Sequence, residues 1–175
     1  VFSLMIILCS YPIVALLNVI SMFFVENAVA ETAAGLYQHG FLASMLVMAL
    51  CPAIGEEFLM RGIVYRSYRK KSPVLAWILS AVIFGLLHMN FNQMPYAIYL
   101  GLIMVVMMEA SDSIVTPMLM HFFMNGISTL SGFFSEAMVE DMPGAAYNAE
   151  SVLGSGAEMR ITLVSIGILA VIMIP

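Results

Sequence analysis

The chain of 175 residues is 62% hydrophobic and 10% charged, with a formal net charge of -5 and a mean hydropathy of +1.01. A soluble domain carries about 25% charged residues, so this composition excludes an ordinary globular domain and points to an all-α, polytopic transmembrane helical bundle. The acidic balance leaves no basic surface for nucleic acid.

The spans follow in chain order as six apolar segments. Span 1 covers about Val1–Val25, too long and too uncharged at its start for a signal peptide. The connection Glu26–Gly40 carries Glu26 and Glu31 and no Lys or Arg. Span 2 runs from Phe41 to about Tyr68, span 3 from Pro73 to Met89. The polar stretch Asn90-Phe91-Asn92-Gln93-Met94-Pro95 reads as a turn closed by proline. Span 4 covers about Tyr96–Met108, and a short turn, Glu109–Asp112, leads to span 5, about Ser113–Phe134. The acidic stretch Ser135–Glu158 reads as a loop before a short span 6 that begins near Arg160. The chain divides into residues 1–40, a core at 41–134 and a tail at 135–175. Residue 1 is Val and the last apolar run ends at Pro175 without a polar flank, so the sequence reads as trimmed at one or both ends.

Arg66, Arg69, Lys70 and Lys71 cluster between spans 2 and 3, whereas the connections Glu26–Gly40 and Ser135–Glu158 are acidic. The positive-inside rule places the Arg66–Lys71 turn in the cytoplasm, with the acidic connections outside. Alternation puts the Glu109–Asp112 turn inside, where Glu109 and Asp112 read as solvated. Cys9 and Cys51 lie in apolar runs and read as small buried hydrophobes. The 17 methionines read as packing and lipid-facing residues.

The polar residues within the spans are the informative ones. An ionisable side chain at membrane depth costs a few kcal/mol or more and signals function. Glu56, Glu57 and Arg61 lie in span 2, His88 in span 3, and His121 with Asn125 in span 5. Glu56 and His88 are equidistant in sequence from Ser72, so a helical hairpin with its apex there puts both roughly 24 Å from the turn. His121 and Asn125 are i,i+4, share a helix face and lie roughly 12–18 Å from the start of span 5, within reach given tilt and a kink at Pro117. Three helices can thus surround one cavity with Glu56, His88, His121 and Asn125. Glu57 and Arg61 are i,i+4 with the acid first, the favourable order for a helical ion pair. Glu56 has Met60 at that spacing and is the carboxylate left free.

Taken singly, each of these has a structural reading: a helix–helix hydrogen bond for a histidine, a neutralised pair for Glu57–Arg61, packing for His121 and Asn125. Their joint depth favours a reaction centre. Hydrolysis of a peptide needs a base for water, a donor to the leaving amine and donors to the tetrahedral oxygen, and these side chains supply all three.

Glu56-Glu57-x-x-x-Arg61, Phe84-x-x-x-His88 and His121-x-x-x-Asn125, in that order on successive helices, resemble the three motifs of the CAAX protease and bacteriocin-processing family, intramembrane endopeptidases related to type II CAAX-prenyl proteases. The resemblance covers about Phe41 to Phe134 and includes the span of Gly101 and the approach Ser113-Ile-Val-Thr-Pro117. It implies hydrolysis of a peptide, prenylated or bacteriocin-like, inside the bilayer. On matching positions it implies that Glu56 and His88 activate water and that His121 and Asn125 stabilise the oxyanion. Glu57, Arg61 and Phe84 would support the site. Many relatives are described as metalloproteases, which would make Glu56, His88 and His121 ligands of Zn2+ instead. The residues alone favour a metal-free site, because no helix carries two of the three candidate ligands at i,i+4. A non-catalytic peptide-binding immunity or regulatory protein, and a small proton-coupled transporter, are the competing classes.

Overall fold

The structure, a computed structural model, describes residues 2–25 and 29–140. Among these every regular element is helical: α1 (Phe2–Met22), α2 (Val29–Tyr37), α3 (Phe41–Arg69), α4 (Pro73–Leu87), α5 (Met94–Ser111) and α6 (Val115–Glu140). The expected final span and the expected loop from residue 141 onward lie outside the described residues. The first part of that loop is the C-terminal end of α6, and the expected Glu26–Gly40 connection contains helix α2.

Among the described residues three helices are long and apolar enough to cross a membrane: α1 through Met5–Met22, α3, and α5. The α4 helix is apolar but only 15 residues long, roughly 23 Å at 1.5 Å per residue. The α6 helix has the length but carries His121, Asn125, Thr129 and several serines. The protein is therefore a helical membrane bundle, with fewer fully apolar spans among the described residues than the six apolar segments suggested.

Prolines mark helix starts more than kinks. Pro73 opens α4, capped by the Ser72 hydroxyl accepting from the Leu75 N–H at 3.3 Å. Pro95 lies in the first turn of α5 rather than closing the preceding turn. Pro117 lies in the first turn of α6, where a missing N–H costs nothing, so it is not the interior kink that the sequence suggested. Asp112 ends α5 in the left-handed conformation, φ 49° and ψ 31°, which Asp tolerates better than most residues.

The α3 helix departs from α geometry twice, at Leu46–Leu50 and Phe58–Tyr65, where it is π-helical. The first stretch directly precedes Pro52. That proline has no N–H for the Met48 carbonyl one turn back. In a bilayer an orphaned carbonyl needs a protein partner, and the Asn125 side chain supplies it, Nδ2 donating at 3.0 Å. In the second stretch the Ser80 hydroxyl donates to the Met60 carbonyl at 3.3 Å. Both irregular stretches are thus tied to neighbouring helices.

Packing centres on α5. One face meets α1 and α6 through Leu100 and Met104 against Ile7, Met120 and Met124. The other face meets α4 so closely that a Cβ added at Gly101 would lie 3.0 Å from the Ala81 Cα. Cys9 and Cys51 are free and exposed rather than buried; on a lipid-facing surface any small apolar side chain is accommodated.

Gly101→Ala is expected to push α5 off α4 and lower stability by about 1–3 kcal/mol, the usual cost of overpacking. Thermal unfolding in detergent measures it, with Gly62→Ala, whose Cβ would make only ordinary contacts at 3.5 Å, as the control.

Candidate active site

The sequence places two carboxylates side by side on α3, and the fold gives them different surroundings. Glu57 and Arg61 are both fully buried and joined by Arg61 Nη1 donating to Glu57 Oε1 at 2.9 Å. The i,i+4 pairing expected from the spacing is present. The other arm of the guanidinium, Nη2, donates to the Gly101 carbonyl on α5 at 2.9 Å, and its Cζ stands 4.7 Å from the centre of the Phe84 ring on α4. One cation thus bonds its own helix, bonds a second and packs on a third. Neither acceptor could be read from spacing except Glu57; Gly101 becomes available only because the glycine lets α5 approach.

Glu57 has a second partner that the sequence analysis did not assign. His121 Nδ1 on α6 lies 3.0 Å from the same Oε1. A carboxylate accepts, so Nδ1 carries the proton and donates, which leaves Nε2 as the free ring nitrogen. His88 is arranged alike: its Nδ1 lies 2.9 Å from the Phe84 carbonyl, an acceptor only, so this ring also presents Nε2. The Phe84 ring lies edge-on to both imidazoles, with centroids 5.0 Å from His88 and 5.6 Å from His121. Phe84 is the wall that spaces the two histidines.

Glu56 is only partly buried and makes no side-chain hydrogen bond to either histidine; its Oε2 is buried without a partner. Asn125 is bound to the Met48 carbonyl rather than unengaged. One of its two amide N–H groups is therefore spent on the backbone and one remains. Pro52 was the sequence signal for this bond, since it predicts an orphaned carbonyl at Met48. Among the described residues no group of three or more His, Cys, Asp or Glu side chains is gathered as a metal ion requires. The trio Glu56, His88 and His121 does not form such a group here.

A second polar cluster lies at the end of the bundle where α3 meets α4. Glu109 was expected to be solvated. Instead it accepts from the Tyr65 hydroxyl and from Arg69 Nη2, the latter at 2.9 Å, while Trp77 Nε1 donates to the Tyr65 oxygen at 3.3 Å. The contact joins the Glu109–Asp112 turn to the same end of the bundle as the Arg66–Lys71 turn. Sequence distance concealed it, because the two partners are forty residues apart.

The membrane bundle thus gathers two carboxylates, a guanidinium and two oriented imidazoles on three of its helices, with Glu57, Arg61 and His121 buried and Glu56 and His88 partly accessible. The family described as Type II CAAX prenyl endopeptidase Rce1-like matches residues 38–127, just over half of the chain, a range that includes Glu56, Glu57, Arg61, Phe84, His88, His121 and Asn125, and the protein belongs to that family of membrane proteases. No curated protein and no solved structure matches it.

Arg61→Lys is expected to keep the charge opposite Glu57 but lose the fork to Gly101. It should lower stability by on the order of 1–3 kcal/mol, the cost of leaving a buried carbonyl unpaired. Arg61→Ala should cost about 3–5 kcal/mol by stranding the Glu57 charge. Denaturation of the purified variants by heat ranks them.

Proposed function

We propose that the protein is an intramembrane endopeptidase that hydrolyses a peptide bond within or near the membrane, with Glu56 and His88 activating water and His121 with Asn125 holding the oxyanion. The observation that supports it is the fixed orientation of both imidazoles. Each has Nδ1 committed, His88 to the Phe84 carbonyl and His121 to Glu57, so each offers Nε2 to a reacting group.

His88 Nε2 is a lone pair suited to take a proton from water, and the unpartnered oxygen of Glu56 is the carboxylate able to share that task. Attack on the peptide carbonyl creates the oxyanion. The remaining Asn125 N–H donates to it, and so does His121 through Nε2–H, a role that needs the doubly protonated ring with Nδ1–H held by Glu57. Arg61 pairs with Glu57 opposite that ring. The proton gathered by Glu56 and His88 passes to the leaving amine.

The family description motivates a prenylated peptide as the substrate class; a bacteriocin-like peptide is the alternative. The reading uses no cofactor. Zn2+ on Glu56, His88 and His121 competes with it, because Nε2 lone pairs oriented through Nδ1 are also what zinc takes.

Wild-type protein in lipid nanodiscs should cleave an internally quenched, farnesylated peptide ending in cysteine, two aliphatic residues and one further residue. Glu56→Gln should abolish cleavage and retain peptide binding; unchanged turnover would remove Glu56 from the reaction, and wild-type protein that binds the peptide without cleaving it would assign the site to binding alone. Asn125→Ala should lose ~10²–10³ in kcat, the typical effect of one oxyanion donor, and some stability, because Met48 is orphaned with it. Loss of activity on chelation, regained only with stoichiometric zinc, would replace the metal-free reading.

We also propose that the Arg66–Lys71 turn faces the cytoplasm in the cell membrane, on the positive-inside rule. In a variant lacking Cys9 and Cys51, Lys70→Cys should react with an impermeant maleimide from the cytoplasmic side and His39→Cys from the opposite side. The reverse pattern would invert the topology.

A further inference from the structure

Asn92 is the residue whose chemistry the preceding reading does not use. It is fully buried, and neither its Nδ2 nor its Oδ1 has a hydrogen-bond partner. Among the described residues the other buried side-chain atoms in that condition belong to Glu56, Glu57 and Arg61, all of the active site. A buried carboxamide unpaired at both ends works against folding unless something else depends on it.

The turn that holds Asn92 begins at His88. Met89, the next residue, has a left-handed backbone, φ 46°, unusual for a side chain of that shape. The Asn90 Oδ1 accepts from the Asn92 N–H at 2.9 Å, and the Asn90 carbonyl accepts from the N–H groups of Gln93 and Met94 at 3.1 and 2.9 Å. A cavity of about 260 Å³ opens against this turn, lined by Gly85, Leu86, Met89, Asn90, Phe91 and Met94. Backbone strain and unsatisfied polar groups concentrate where function overrides stability, and here both occur within four residues of His88.

A peptide must be extended at the bond to be cut, so its N–H and C=O groups lose their helical partners, and at membrane depth they need replacements from the protein. A carboxamide matches that need: Oδ1 accepts from an N–H while Nδ2 donates to a carbonyl. We propose that Asn92 is a substrate-binding residue whose side-chain amide pairs with a backbone amide of the peptide lying along the turn after His88. This rests on the endopeptidase reading above. Asn92 lies outside the cavity lining, so on this proposal the turn that carries the exposed Met89 and Phe91 opens to admit the peptide.

The test uses full-length protein in nanodiscs and the farnesylated peptide. Asn92→Leu removes the unpaired amide and keeps the number of side-chain heavy atoms. It should unfold at the same or a higher temperature than wild type, yet raise KM about tenfold, the scale of a lost hydrogen bond, with kcat within about threefold. Asn92→Ser, which keeps one donor and acceptor, should fall between. In a Glu56→Gln background, Asn92→Leu should weaken binding of the same peptide by the same factor. Should Asn92→Leu lower the unfolding temperature and leave KM and binding unchanged, the amide serves the fold and the proposal is overturned. A Leu variant that does not fold, with an Asn92→Ser protein of wild-type KM, overturns it as well. Wild-type protein that neither cleaves nor binds the peptide removes the endopeptidase reading and this inference together, a result distinct from failure of Asn92 alone.

Discussion

The Arg61 guanidinium governs the arrangement. A fully buried cation in an apolar bundle is tolerable only when its charge is met, and Arg61 is met by Glu57 through one arm and by the Gly101 carbonyl through another, with Nε left without a partner. Those two bonds fix α3 against α5. Because Glu57 also accepts from His121, they fix α6 as well. The orientation of the His121 imidazole is thus coupled to the burial of a charge, and a bilayer strengthens the coupling by offering no water to either.

The irregular backbone serves the same end. A regular α3 would satisfy its own hydrogen bonds and need little from its neighbours. Pro52 instead frees the Met48 carbonyl, and Asn125 answers it from α6. The π-helical stretch Phe58–Tyr65 contains Arg61 and Tyr65 and receives the Ser80 hydroxyl from α4. π-helical insertions occur often at functional sites, and here they supply the bonds that hold three helices in register. Asn125 consequently commits one N–H to the backbone of α3 and keeps a second one free of it.

The other end of the bundle is organised by exposed rather than sealed charge. Arg69, Glu109, Tyr65 and Trp77 tie α3, α4 and α5 together near the basic turn. Half of the Arg69 side chain remains accessible, so the ion pair itself adds little stability. The Tyr65 and Trp77 hydrogen bonds, more shielded, contribute more to closing that end.

The sequence by itself determined the class of fold and singled out the polar residues within its apolar segments. Apolar runs of membrane length can only be helices, and intramembrane Glu56, Glu57, Arg61, His88, His121 and Asn125 stand out because their burial is costly. It also determined the Glu57–Arg61 pair, since i,i+4 proximity is a local property of one helix. Tertiary structure decided everything that depends on how helices approach: Glu57 as the acceptor for His121, Gly101 as the second acceptor for Arg61, Glu109 as a partner of residues forty positions away, and the ends of α4 and α6. Local periodicity carries no information about these contacts, because each depends on a close approach between helices, and that distance is set by glycines, prolines and π-helical turns acting together.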